Sequence, residues 1–101
     1  MKMYLGERNN YGVEVRVSEG FDNYKLKHIK RHSPTGLEYG YAGSGPADLA
    51  LSILTDLFNP EVADRYYQSF KHEVISNLNG ESFTLSGSGI IKWMEDKKEV
   101  E

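Results

Sequence analysis

The chain has 101 residues, 39% hydrophobic and 27% charged, with no cysteine and a formal charge of −3. That length suits one domain around one modest core, and that composition a folded globule rather than a disordered tail. Disulfides and thiolate metal sites are excluded, a reducing, cytoplasmic setting fits, and the mild negative charge disfavours duplex DNA.

The opening MKMYLGERNN has no apolar signal core. No apolar run approaches the roughly 20 residues that cross a bilayer, so no membrane association is expected. GVEVRV alternates Val13, Val15 and Val17 with Glu14 and Arg16, the period-two pattern of a half-buried strand. A shorter strand precedes it, and the Asn/Gly run between them makes a hairpin. EGFDN is a second turn. YKLKHIKRH then reads as a strand with a polar face. SPTG reads as a type I turn with Pro34 in second place, and LEYGY as a return strand with Leu37, Tyr39 and Tyr41 on one face. Residues 24–42 are thus expected to form a second hairpin.

GYAGSGPADLALSIL marks a change of period. Pro46 suits the first helical position, with Gly45 or Ser44 as N-cap. A helix over about 46–58 gathers Asp48, Ser52, Thr55 and Asp56 into one narrow polar stripe. Ala47, Leu49, Ala50, Leu51, Ile53, Leu54, Leu57 and Phe58 fill the rest. So apolar a helix belongs at the centre of the core. Leu54 is then a core residue, and Asp56 tolerates replacement. Asp48 falls in the first turn, where its carboxylate complements the helix dipole.

NPEVADRYY starts another helix, capped by Asn59 with Pro60 in the first turn. FKHEVI alternates, so a short helix followed by a strand is expected over residues 68–77, although Val62, Tyr66, Phe70 and Val74 keep a spacing of four. NLNGES is a loop and FTL a short extended piece. Ser86 or Ser88 caps a last helix bearing Ile90, Met94, Lys97 and Trp93, the latter a core anchor. Residues 96–101 form a frayed, charged tail. The expected class is α+β: a small antiparallel sheet of N-terminal hairpins on a central buried helix, with one or two further short helices.

The stretch HSPTGLEYGYAGSGPADLALSIL, with FKHEVI and SFTLSGSGIIKWM after it, resembles a family of small uncharacterised domains from bacteria and their phages. The likeness covers most of residues 30–95 and is weakest in the first 25. Tyr39 and His72 stand where tryptophan is common, and Gly87 and Gly89 where a polar or acidic residue is usual. The resemblance implies a phage or mobile-element setting and brings no activity with it.

Two features point to binding chemistry. Gly43, Ser44 and Gly45 line a helix start, where free N–H groups can hold a phosphate or carboxylate. They match neither a P-loop nor a dinucleotide fingerprint. KLKHIKRH carries Lys25, Lys27, Lys30 and Arg31 with no acid among them, and Tyr39 and Tyr41 lie on the same expected hairpin. Cations beside aromatics suit phosphate contacts and base stacking. The same lysines also suit an edge strand protected from aggregation. His28, His32 and His72 lack a ligand spacing, and the GSG runs at 43–45 and 87–89 are not nucleophile elbows. No catalytic constellation, metal site or cofactor is expected. The leading expectation is a non-enzymatic interaction module that binds another protein. The alternative is a binder of a nucleotide or other phosphorylated small molecule at residues 43–48 and 24–41.

Overall fold

The computed structural model describes residues 1–100. Three strands come first: β1 (Lys2–Asn9), β2 (Gly12–Glu19) and β3 (Asp22–Lys25). Helices α1 (Ser44–Leu57) and α2 (Pro60–Glu73) follow, then a 3-10 turn at Ile75–Asn77. Strand β4 (Ser82–Ser86) and helix α3 (Gly87–Glu99) complete the chain. The four strands form one antiparallel sheet in the order β3-β2-β1-β4, and with three α-helices the fold is α+β.

The alternation in β1 and β2 decides their faces. Tyr4, Gly6, Val15 and Val17 are buried with Phe83 of β4, while Leu5, Glu7, Glu14, Arg16 and Thr84 are exposed. Gly6 is required by packing: a Cβ there would sit 2.0 Å from the Phe83 ring. All three expected turns form, at residues 10–11, 20–21 and 34–35. Gly20, between β2 and β3, adopts φ +61°, the left-handed value that tight hairpins favour at their first turn residue.

Helix α1 is the core element, with Leu49, Ala50, Ile53 and Leu54 wholly buried. Its start lies earlier than expected. Gly43 is the N-cap, the Ala47 N–H donates to the Gly43 carbonyl, and Pro46 occupies the third helical position. Asp48 therefore lies beyond the first turn and plays no part in neutralising the dipole. The polar stripe is not a solvent face either. Asp56 accepts hydrogen bonds from the Tyr4 and Tyr24 hydroxyls (2.7 Å each) and from Lys2 Nζ (3.2 Å). It ties the end of α1 to β1 and β3, so it is not the tolerant position the stripe suggested. Burial and the Asp56 carboxylate both push the Tyr4 hydroxyl's pKa upward, keeping it a donor.

One expected strand is cut short and two are absent. The strand over YKLKHIKRH ends at Lys25, and no 24–42 hairpin forms. Leu37 makes only an isolated bridge to Val13. FKHEVI belongs to α2 and the turn after it, not to a strand. The spacing of four wins because it carries Tyr66 and Phe70 into the core, which an alternating strand here would not. Asn59 and Pro60 start α2 as expected, with Asn59 Oδ1 accepting from the Val62 N–H at 2.8 Å. Ser86 caps α3 by accepting from the Gly89 N–H.

Residues 96–99, expected to fray, are helical; Glu101 lies outside the described residues. Lys97 pairs with Glu73 of α2, and the ammonium holds the Glu73 carboxyl below the usual carboxylate range. Trp93 is half-buried rather than a core anchor. Its ring meets Phe70 edge-on and its Nε1 donates to Glu73 at 3.2 Å. Among the described residues, no helix is long and apolar enough to cross a membrane.

Candidate functional site

Past β3 the chain leaves the sheet and crosses α1 as an irregular strap, residues 26–33. Leu26 makes the last ladder contact, its N–H donating to the Val15 carbonyl. From there the main chain finds its partners on the helix. The Ile29 N–H donates to Ser52 Oγ (2.9 Å). The amides of Arg31 (3.3 Å), His32 (2.9 Å) and Ser33 (2.9 Å) donate to the Asp48 carboxylate. His28 Nε2 lies 2.9 Å from the same carboxylate and, facing an ionised acceptor, is the donor.

The Asp48 side chain is 0% exposed. Burial alone favours its protonated form. The His28 ring and the amides of Ser33, His32 and Arg31 outweigh that and hold its pKa below the usual carboxylate range. One carboxylate and one hydroxyl, a helical turn apart, thus replace the sheet ladder that this segment lacks.

With the main chain turned to α1, the charged side chains turn outward. Lys25, Lys27, Lys30 and Arg31 are all exposed. Arg31 is held: its guanidinium pairs with Asp64 at 2.5 Å and lies over the Tyr67 ring. The His32 ring also stacks on Tyr67, with 2.8 Å between His32 Nε2 and the hydroxyl. The side chains of Lys25, Lys27 and Lys30 make no ion pair among the described residues.

The glycine-rich start of α1 has different surroundings. Tyr11, Thr35, Glu38, Tyr41, Ser44 and Gly45 border a cleft of about 230 Å³ there. The Tyr41 ring lies across Gly43, where a Cβ would come within 2.5 Å of it. Gly45 packs on Glu38, whose Cβ would stand 2.7 Å from a Cβ added at Gly45. Arg8 donates two bonds to the Glu38 carboxylate, at 2.7 and 2.9 Å. The cleft is lined by that carboxylate and by no lysine or arginine. The Glu38 carboxylate is already neutralised by Arg8, so the cleft offers an anion no unpaired cation.

The residues grouped from sequence therefore separate. Tyr41, Gly43, Ser44 and Gly45 meet at the α1 start. Lys25 and Lys27 border a second cleft beside β2, with His28, Gly36 and Leu37. Lys30 and Arg31 border neither. Tyr39 lies in the core, its hydroxyl donating to the Gly80 carbonyl at 2.8 Å and its ring edge-on to Phe83. Sequence reasoning missed Asp48 and Ser52 as the strap's anchors. The signal was the polar stripe itself: such residues on an otherwise apolar helix need partners.

Family comparison matches residues 4–96 to DUF6166, a family of unknown function. The chain belongs to this family. The match runs from Tyr4 in β1 to Asp96 in α3, so it includes the strap, its anchors and the cleft. No curated protein and no solved structure matches the chain. Among the described residues, no group of three or more His, Cys, Asp or Glu side chains could hold a metal ion.

Proposed function

We propose that this chain is a non-enzymatic interaction module whose strap docks on an acidic surface of another protein. One observation carries the reading: the strap's main chain is bound to α1 while the side chains of three lysines beside and along it have no ion-pair partner among the described residues. Edge protection accounts for Lys25, which lies on β3, but Lys27 and Lys30 lie off the sheet. A loop already held in place loses little freedom on binding, so its charges contribute more to affinity. The resemblance and the lack of cysteine support a cytoplasmic, phage- or mobile-element-associated setting.

The test compares the wild type with Lys27→Glu/Lys30→Glu as bait in a lysate of the source organism. Partners held by the wild type should be lost from the variant and released by added salt, with equal melting temperatures for the two baits. If the variant retains every wild-type partner, the strap is not the interface. Saturable chemical-shift changes at Lys27 and Lys30 with a nucleotide would replace the protein partner by a phosphorylated ligand.

A further inference from the structure

The two edges of the sheet are built differently. β3 is four residues long, carries Asp22 and Lys25, and runs into the cationic strap. Charge and shortness are how natural edges avoid pairing with other chains. β4, Ser82-Phe83-Thr84-Leu85-Ser86, has no charge and no proline, and its register with β1 is unbroken over five pairs.

The free side of β4 follows from the ladder. The Arg8 N–H donates to the Glu81 carbonyl, on the register that pairs Gly6 with Phe83 and Tyr4 with Leu85. Antiparallel alternation then turns the backbone groups of Phe83 and Leu85 toward β1, and those of Ser82, Thr84 and Ser86 outward. Beside this edge lies a groove of about 320 Å³, walled by Phe70 of α2, by Val74 just after it, and by Ile90 and Trp93 of α3, with Leu85 between them.

We propose that β4 pairs antiparallel with β4 of a second copy, about a two-fold axis at Thr84, joining both four-stranded sheets into one. The strand is self-complementary about that axis. Thr84 exchanges both backbone bonds with its counterpart, Phe83 faces Leu85 and Ser82 faces Ser86, so no charge meets an apolar neighbour. Charge complementarity at the flanks favours a second copy over an unrelated strand. The same register sets Glu81 of each copy against Gly87 of the other, at the start of α3. That helix has no acidic residue in its own first turn, and a carboxylate there complements its dipole. Such an interface is isologous, and its closure covers the apolar groove of both copies. The strap follows β3 at the far edge and stays free, so this pairing does not depend on the strap's role.

The test uses the full chain and the exposed side chain of Thr84. Light scattering of the wild type should give twice the mass of one chain, falling toward one on dilution. Thr84→Lys and Thr84→Glu place like charges opposite each other, and each alone should halve that mass while leaving the circular-dichroism spectrum unchanged. An equal mixture of the two variants should recover the doubled mass as a heterodimer. A wild type that stays at one chain's mass at millimolar concentration would overturn the proposal and leave the edge to a strand of another protein. Variants that keep the doubled mass, or a mixture that fails to recover it, would overturn it equally.

Discussion

The strap over α1 and the cleft at the start of α1 adjoin one another, yet they solve opposite problems. Along the strap, main-chain amides are satisfied by Asp48 and Ser52, and the side chains of Lys27 and Lys30 are left to solvent. In the cleft the helix start is packed over by the Tyr41 ring and by Glu38, and the nearby charges, Glu38 and Arg8, are spent on each other. A segment displays side chains when its backbone is held from behind. A glycine-rich turn, by contrast, serves close packing, here of Tyr41 on Gly43 and of Glu38 on Gly45.

The largest effect should come from removing the strap's main anchor. Asp48→Ala leaves the amides of Arg31, His32 and Ser33 without an acceptor. The Ser33 donor is buried and the other two part-buried; a stranded buried donor costs about 1–3 kcal/mol, so a loss of about 2–3 kcal/mol is expected in denaturant titrations. Hydrogen exchange at residues 29–33 should quicken before the β1–β2 ladder is affected. The pH dependence follows from the depressed carboxyl. Its contribution is fully present above the unfolded pKa of about 3.9 and is lost as pH falls through the lower folded value. Asp48→Asn should flatten that acid limb; an unchanged limb would place the strap's stability elsewhere.

A smaller effect is expected from Gly45→Ala. The new Cβ meets Glu38 Cβ at 2.7 Å and its backbone N at 3.2 Å, so the cleft wall must shift. Overpacking of this kind costs about 1–3 kcal/mol, measurable as a lower urea midpoint at constant slope. If alanine is neutral there, the glycine serves something other than packing.

The smallest response should be that of the cleft to anions. Inorganic phosphate titrated to millimolar concentration should give no saturable shift at the amides of Ser44, Gly45 and Ala47, because no lysine or arginine lines the cleft and the nearby cation, Arg8, is paired with Glu38. Glu38→Gln is the sharpening variant. Phosphate binding that appears only in it would show that the Arg8–Glu38 pair withholds the cation the cleft needs, and binding to the wild type would end the contrast between the two regions.

Elements with strong local signals were legible without the structure. The valine alternation marked β2, and the turn residues around Gly12 and Gly20 marked both hairpin turns. Asn59-Pro60 and Ser86 marked the starts of α2 and α3, and the apolar wheel marked α1 as the buried helix. In each case the deciding contact lies within a few residues in sequence, where spacing alone reveals it. The strap was not legible. Its residues alternate well enough for a strand, and what keeps them off the sheet is a pair of acceptors 15 to 23 positions further along the chain. No local pattern reports a partner at that distance. The polar stripe of α1 was visible, but a wheel distinguishes polar from apolar, not solvent from a buried partner. Only the packed structure decides that Asp48 and Ser52 face main-chain amides and that Asp56 faces two tyrosines, because a buried polar group is settled by what reaches it across space.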